Sequence, residues 1–213
     1  MARYRLAVFD SDGTLVDSLP WFTGVFNEVA SQHGIQPVTA EEQAELRHLA
    51  GRELLRRMNI PIWKLPSLMT AMRRRMTAHA GEFRTFEGIP ESLRCLAAGG
   101  VLLGIVSSNS DENVRRILGP ELVGLMTHFH CGASMFGKPA MLKKLLKAAG
   151  VPAQESIYIG DELRDAEAAA KVGMAYGAVG WGYHDLDRLR ATAALAFHDP
   201  ADIARKILTI GPA

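Results

Sequence analysis

The segment Asp10-Ser11-Asp12-Gly13-Thr14 places two carboxylates two positions apart, directly after the apolar run at residues 6–9. A carboxylate can act as a nucleophile and form an acyl phosphate. A second carboxylate in the same site can act first as a general acid and then as a general base. Aspartate and glycine also favour ordinary turns, so a polar turn after a strand is the alternative interpretation of this segment.

The segment Gly160-Asp161-Glu162-Leu163-Arg164-Asp165 follows another apolar run, at residues 156–159. If a helix begins here, Asp161 and Asp165 lie on one face because they are four positions apart. Magnesium prefers oxygen ligands and usually takes few carboxylates together with phosphate and water. Acidic residues also stabilise the positive end of a helix, which is the simpler interpretation of the same residues.

Two shorter segments carry weaker signals. In Ser107-Ser108-Asn109-Ser110, the polar side chains can cap a following helix or donate hydrogen bonds to phosphate oxygens. In Gly137-Lys138-Pro139, the proline suits a first helical position, and Lys138 beside it could hold a phosphate as a point charge. A solvated lysine is the alternative for that position.

The elements around these segments alternate between short apolar runs and amphipathic stretches. We expect helices at residues 90–98, 111–118, 139–149 and 165–172, which predicts βαβ units around a parallel sheet. Ligands bind beyond the carboxyl ends of the strands in such a sheet, so Asp10, Ser107 and Asp161 are expected to converge there. The predicted strands are residues 6–9, 101–106, 128–131, 156–159, 174–179 and 194–197.

Residues 18–86 interrupt this alternation with helical patterns and no clear strand. Residues 21–33 are amphipathic, Thr39 and Glu42 have the spacing of a capping box, and a methionine-rich stripe follows at helical spacing. The predicted organisation is an α/β domain formed by residues 1–17 and 87–213, with a helical domain of residues 18–86 inserted after the first strand. Asp17 and Ser18 mark the passage into it.

The bulk composition excludes several classes of protein. The 213 residues are 48% hydrophobic and 22% charged with a net charge of +1, which gives no support for nucleic-acid binding. Apolar runs stay well short of the roughly 18 residues that a membrane helix needs, and the N-terminus does not resemble a signal peptide. Cys95 and Cys131 are expected to be buried small hydrophobes in a protein of the reducing cytoplasm.

The four segments, taken in their order along the chain, strongly resemble the four signature motifs of the haloacid dehalogenase-like hydrolase superfamily. The resemblance covers nearly the whole chain, and is greatest for the phosphoglycolate phosphatase-like branch. It implies an α/β, doubly wound (Rossmann-like) parallel-sheet core and a small all-helical cap inserted after the first strand.

The resemblance also implies roles for individual residues. Asp10 maps to the nucleophile, Asp12 to the acid and base, Ser107 to the motif-two hydroxyl, and Lys138 to the motif-three lysine. The implied Mg²⁺ ligands are Asp10, the backbone carbonyl of Asp12, and Asp161, with Asp165 and Glu162 in its outer shell. Phosphate contacts are expected from Ser107, Ser108, Asn109 and Lys138.

The expected reaction is Mg²⁺-dependent hydrolysis of a small phosphorylated metabolite, phosphoglycolate-like or a sugar phosphate, through an aspartyl phosphate on Asp10. Asp12 argues for phosphoryl transfer over carbon–halogen cleavage, since the dehalogenases generally lack it. A phosphomutase, a pyrophosphatase or a nucleotidase would share the motifs. In the cap, Arg47 or Arg52 could contact an anionic substrate, although this region is rich in arginine throughout. A receiver-type signalling domain and an inactive binding module fit less well.

Overall fold

Six strands form one parallel sheet in the part of the chain that the computed structural model describes, residues 2–46, 49, 51–134 and 137–208. The strand order is β3-β2-β1-β4-β5-β6, so the chain winds outward from β1 in both directions. This arrangement confirms the predicted doubly wound α/β fold. The strands are β1 Leu6–Phe9, β2 Leu102–Val106, β3 His128–His130, β4 Ser156–Gly160, β5 Ala175–Val179 and β6 Leu195–Phe197.

The central strands are buried on both faces, which explains why their sequences are continuous apolar runs. Phe9 packs in the apolar cluster on one face of the sheet, and its neighbour Val8 packs in the cluster on the other. Phe9 lies in register with both Ile105 of β2 and Ile159 of β4. The polar segments that follow these three strands therefore emerge at the same edge.

Helices connect the strands at nearly the predicted positions. α6 differs, because it runs past the predicted stop at Gly119-Pro120; Gly119 leaves the helical conformation (φ 73°) and a second helical stretch follows it to Leu125. The helices are α1 Leu19–Gln32, α2 Ala40–Leu46, α3 Gly51–Arg57, α4 Leu65–Ala78, α5 Ile89–Ala98, α6 Asp111–Leu125, α7 Lys138–Ala149, α8 Leu163–Val172, α9 Leu186–Arg190 and α10 Ala201–Leu208.

Helices α1 to α4 all lie in the stretch between β1 and α5, as the helical insertion requires. They have an apolar cluster of their own, which includes Phe26, Leu55 and Leu68. Thr39 and Glu42 form the predicted capping box, with Thr39 N donating to Glu42 Oε2 at 2.9 Å and Glu42 N donating to Thr39 Oγ1 at 3.2 Å. The separate core supports a two-domain division, whose limits at 17/18 and 86/87 stay a prediction.

The two cysteines are free and half-buried, so the prediction that both are buried is wrong. Cys95 lies on the outer part of α5, where its thiol approaches the exposed Glu91, and Cys131 directly follows β3 at the edge of the sheet. Within the described ranges, none of the helices has the length and apolarity needed to cross a bilayer.

Candidate active site

Asp10 lies at the centre of the sheet edge, immediately after β1, and is 2% exposed. Its Oδ1 accepts a hydrogen bond from the Ser11 N–H at 2.8 Å, and its Oδ2 accepts one from Lys138 Nζ at 2.6 Å. Burial raises the pKa of Asp10 to about 7, although the ammonium of Lys138 opposes this shift. Asp10, the predicted nucleophile, should therefore lose its proton more readily when further positive charge, such as that of a cation, enters the site.

Lys138 is the first residue of α7 and is almost completely buried. Its ammonium lies between two carboxylates, at 2.6 Å from Asp10 Oδ2 and 2.6 Å from Asp165 Oδ1. Burial alone would lower the pKa of Lys138, but Asp10 and Asp165 outweigh burial and raise it. The lysine is thus a fixed positive charge beside the predicted nucleophile, and the alternative of a solvated lysine is wrong.

Asp161 follows β4 and is fully buried. Its Oδ1 accepts a hydrogen bond from Thr14 Oγ1 at 2.9 Å, and its Oδ2 accepts one from the Tyr183 N–H at 2.8 Å. Gly13 and Gly182 pack closely against Asp161. A Cβ added at Gly13 would lie 2.3 Å from Asp161 Oδ2, and a Cβ added at Gly182 would lie 2.2 Å from Asp161 Cβ. Two loops therefore hold the carboxylate in one position.

Asp165 and Glu162 stabilise the start of α8. The helix begins at Leu163, so Asp161 precedes it, and the prediction that Asp161 and Asp165 share one helix face is not met. Asp165 Oδ2 accepts a hydrogen bond from the Glu162 N–H at 3.1 Å, as a capping residue does, while Glu162 pairs with Arg164. The simpler interpretation, stabilisation of a helix end, therefore holds for Asp165 but not for Asp161.

The donor set fits a divalent cation. Carboxylate oxygens of Asp10, Asp161 and Asp165 all lie within 4.8 Å of one another. Burial, followed by repulsion from Glu162, Asp165 and Asp10, raises the pKa of Asp161 well above its usual range. Such mutual repulsion between buried carboxylates is relieved by a bound cation. Of the three carboxylates, Asp165 is the one that also caps α8, through the hydrogen bond that it accepts from the Glu162 N–H.

Asp12 lies two positions after Asp10, in the loop that follows β1. Its Oδ2 accepts a hydrogen bond from Asn109 Nδ2 at 3.1 Å. Its Oδ1 is buried and has no hydrogen-bond partner among the described residues. Burial raises the pKa of Asp12, and the polar side chains of Ser18 and Asn109 oppose that shift. A carboxyl group with a raised pKa and one unoccupied oxygen is suited to exchanging a proton with a ligand.

The segment after β2 caps the following helix, which is one of the two interpretations that the sequence left open, and its phosphate contacts stay a prediction. Ser110 caps α6, since its Oγ accepts the Asn113 N–H at 3.2 Å. Ser107 is fully buried beside the site, and its Oγ accepts the Asn109 N–H at 3.1 Å. Ser108 accepts a hydrogen bond from Arg73 through its carbonyl. Asn109 directs its side chain to Asp12, a contact that the sequence did not suggest.

No role in the site was predicted for the loop at residues 181–184, whose aromatics beside glycine suggested either the rim of the site or a packed turn. Trp181 Nε1 donates to the Thr14 carbonyl at 3.0 Å, and Tyr183 binds Asp161 through its backbone. The side chain of Ser18 makes no capping hydrogen bond to α1; its Oγ instead lies 2.8 Å from the Tyr183 hydroxyl. The position of residues 181–184 directly after β5, at the same sheet edge as Asp161, is the signal that could have found this loop.

The two arginines predicted to contact substrate stay predictions. Arg47 lies outside the described residues. Arg52 falls within α3, but its side chain lies outside what the structure describes.

Comparison with known proteins identifies the family. The haloacid dehalogenase-like hydrolase family matches residues 7–179. A phosphoglycolate phosphatase of Synechococcus elongatus is 32% identical over 94% of this chain and 95% of its own. A 5'-nucleotidase of Pseudomonas aeruginosa is 29% identical over 89% of this chain and 88% of its own. A haloacid dehalogenase-like hydrolase of Streptococcus pneumoniae has the same fold, with a TM-score of 0.78 and 17% identity over 96% of this chain and 99% of its own. The chain is a member of the haloacid dehalogenase-like hydrolase family.

Proposed function

We propose that the protein is a Mg²⁺-dependent phosphatase that hydrolyses a small phosphate monoester through an aspartyl phosphate on Asp10. One observation carries this proposal: the buried carboxylates of Asp10 and Asp161 approach closely enough to share a cation, while Lys138 lies 2.6 Å from Asp10. A phosphate dianion could not approach this site without positive charge beside it, because like charges repel.

In the first step, a carboxylate oxygen of Asp10 attacks phosphorus, and the bond between phosphorus and the ester oxygen breaks. Asp12 gives its proton to that leaving oxygen, so that the product is a neutral alcohol. In the second step, a water molecule attacks the phosphorus of the aspartyl phosphate while Asp12 takes a proton from it. The bond from phosphorus to Asp10 then breaks, which releases phosphate and regenerates both carboxyl groups.

The remaining residues provide charge and orientation. Lys138 offsets negative charge on the phosphoryl group and keeps Asp10 in place. Asp10, the Asp12 carbonyl and Asp161 would hold Mg²⁺, with Asp165 and Glu162 outside the ligand set. When bound, Mg²⁺ would neutralise charge between the carboxylates and the phosphate and would orient the phosphoryl group. Ser107, Ser108 and Asn109 border the place where phosphate oxygens would lie.

The substrate class is a small phosphorylated metabolite, either phosphoglycolate-like or a sugar phosphate. The Synechococcus relative, a phosphoglycolate phosphatase similar over almost its full length, supports the first of these. The Pseudomonas relative, a 5'-nucleotidase, adds a nucleotide as a further candidate. The helical insertion, as a cap beside the site, would choose between them.

A panel of phosphate esters, assayed with and without Mg²⁺, tests the proposal. Wild-type protein should release phosphate from at least one ester only when Mg²⁺ is present, with no sugar bisphosphate activator. The Asp10→Asn variant should lose at least about 10³-fold in kcat, since the amide is not a nucleophile. Circular dichroism and thermal unfolding serve as the folding control. Full activity of Asp10→Asn, or turnover that needs a sugar bisphosphate, would contradict the proposal.

A further inference from the structure

A hydrogen-bonded chain fixes the side-chain amide of Asn109 in one orientation. The Ser110 N–H donates to Asn109 Oδ1 at 2.8 Å, so the oxygen of this amide must face Ser110 and its NH₂ group must face the other way. That NH₂ group lies 3.1 Å from Asp12 Oδ2 and 2.8 Å from Met76 Sδ. Both hydrogens of Asn109 therefore have defined acceptors.

Asn113, in the first turn of α6, stabilises this orientation of the Asn109 amide. Its Nδ2 donates to Asn109 Oδ1 at 3.0 Å and to the Arg73 carbonyl at 3.2 Å. Its Oδ1 accepts a hydrogen bond from Thr77 Oγ1 at 2.7 Å. Asn113 is fully buried, and all of its side-chain polar atoms are used in these contacts. A buried amide with every donor and acceptor paired has a single favourable orientation.

The chain reaches from the helical insertion to the carboxyl group of Asp12. Thr77 and Arg73 belong to α4, and Asn109 and Asn113 belong to the segment and helix that follow β2. Arg73 strengthens the same connection, because its Nε donates to the Ser108 carbonyl at 2.9 Å and its Nη2 donates to the Ala133 carbonyl at 3.0 Å.

We propose that Asn113 is a positioning residue, which holds the Asn109 amide against Asp12 Oδ2 and so reserves Asp12 Oδ1 for proton exchange with the leaving oxygen. An N–H donor on Oδ2 disfavours a proton on that oxygen, since two hydrogens would meet. Oδ1, which is buried and has no partner among the described residues, is then the oxygen left to exchange the proton. Asn113 itself acts only through Asn109. This inference rests on the proposed phosphatase function.

The choice of leaving group separates positioning of Asp12 from a purely structural role. Phosphoglycolate, or the fastest alkyl monoester of the panel, needs a proton on its leaving oxygen, whereas the weakly basic p-nitrophenolate of p-nitrophenyl phosphate does not. The measurement is kcat/KM for both esters, because this constant reports the step in which the ester bond breaks. Asn113→Ala should lose about tenfold in kcat/KM for the alkyl ester and less than about threefold for the aryl ester, as expected when part of general acid catalysis is lost.

Two further variants keep the test independent of folding. Thr77→Val removes the hydroxyl that binds Asn113 Oδ1 and preserves side-chain volume, so a smaller loss with the same alkyl-ester preference is expected. The double variant Asn109→Ala/Asn113→Ala should lose no more than Asn109→Ala alone, since Asn113 acts through Asn109. Asn27→Ala is the matched control, because the Asn27 amide pairs with the backbone of Val38 inside the insertion. It should leave the ratio of the two constants unchanged.

The outcomes are distinguishable from those that test the proposed function. A wild type without Mg²⁺-dependent phosphatase activity refutes that function and this inference together. If the wild type hydrolyses both esters, equal losses for the two esters in Asn113→Ala and Thr77→Val overturn the inference alone. Additive losses in the double variant overturn it as well.

Discussion

The charged residues of the active site and those of the helical insertion are held in opposite ways. Lys138 and Asp10 have side chains that are each 3% exposed and approach to 2.6 Å. In the insertion, Arg57 and Glu45 have side chains that are 54% and 73% exposed and lie 3.8 Å apart. A buried charge that loses its partner is strongly destabilising, whereas an exposed pair contributes little.

This difference indicates where each charge acts. In the site, Lys138 and its carboxylates depend on one another, and their arrangement leaves excess negative charge that a cation would balance. Among the arginine side chains of the insertion that the structure describes, the exposed ones are Arg56, Arg57, Arg74 and Arg84. Arg73 differs from these, since its guanidinium is half-buried and donates to the carbonyls of Ser108 and Ala133. An arginine of the insertion is therefore expected to matter when it contacts the α/β domain, and not because it adds charge to the surface of the insertion.

Replacing the buried ammonium should produce the largest effect. Lys138→Met leaves Asp10 and Asp165 buried without a cation, and we expect a loss of about 3–5 kcal/mol in the free energy of unfolding. The loss of positive charge beside the phosphate should also lower kcat by about 10²–10³. Urea denaturation and steady-state kinetics measure the two effects. Lys143→Met, on an exposed position of the same helix, is the control. If the two variants were equally stable, the predicted difference between the buried and the exposed lysine would be wrong.

Mg²⁺ should stabilise the protein through the excess of buried carboxylates. At about 100 times its dissociation constant, the ion should add about 2.7 kcal/mol to the free energy of unfolding. Thermal unfolding with and without Mg²⁺ measures this shift. Asp161→Asn should remove most of it, and Asp111→Asn, which changes an exposed carboxylate on α6, should preserve it. An equal shift in Asp161→Asn would show that the ion binds elsewhere.

Gly13→Ala tests how tightly the loops enclose Asp161. Gly13 has a φ of +74°, and its added Cβ would lie 2.3 Å from Asp161 Oδ2. We expect a loss of about 1–3 kcal/mol from backbone strain, together with a loss of activity of about 100-fold from displacement of Asp161. Gly150→Ala is matched for strain, because Gly150 has a φ of +64° and no atom within 4 Å of its added Cβ. It should lose stability and keep its activity; equal activity of the two variants would contradict the prediction.

The arginines of the insertion should give the smallest effects. Arg57→Ala removes an exposed pair and should change the free energy of unfolding by less than about 0.5 kcal/mol, with unchanged kcat. Arg73→Ala removes hydrogen bonds to two carbonyls and should cost about 1–3 kcal/mol. Urea denaturation of both variants compares them directly. If Arg57→Ala proved as damaging as Arg73→Ala, exposed and connecting arginines of the insertion could not be distinguished.

The sequence predicted the sheet well because its signals are local. Residues 6–9 and 156–159 are short apolar runs, as expected of strands buried on both faces, and an aspartate follows each run within two positions. The continuation of α6 beyond Gly119-Pro120 was missed, since these residues break a helix locally while packing of Leu122 in the core favours a second helical stretch. The prediction that Cys131 is buried was wrong, because Cys131 lies at the edge of the sheet. Which strand forms that edge depends on the strand order, which the sequence does not state.

The sequence also did not predict which polar atoms pair with one another, because these contacts depend on the tertiary structure. Ser18 is in position to cap α1, but its hydroxyl instead contacts the hydroxyl of Tyr183, which is 165 positions away. The sequence predicted a phosphate contact for Asn109 and did not predict that its amide binds Asp12 and is held there by Asn113. Such contacts join segments whose separation along the chain carries no periodic signal.

By itself, the sequence determined which side chains stand at the ends of the central strands, because apolar periodicity and burial are properties of short segments. Tertiary structure decided which oxygen of each carboxylate is occupied and which is left for a ligand. That choice depends on donors from distant loops and from the insertion, whose positions are fixed only when the whole core has packed.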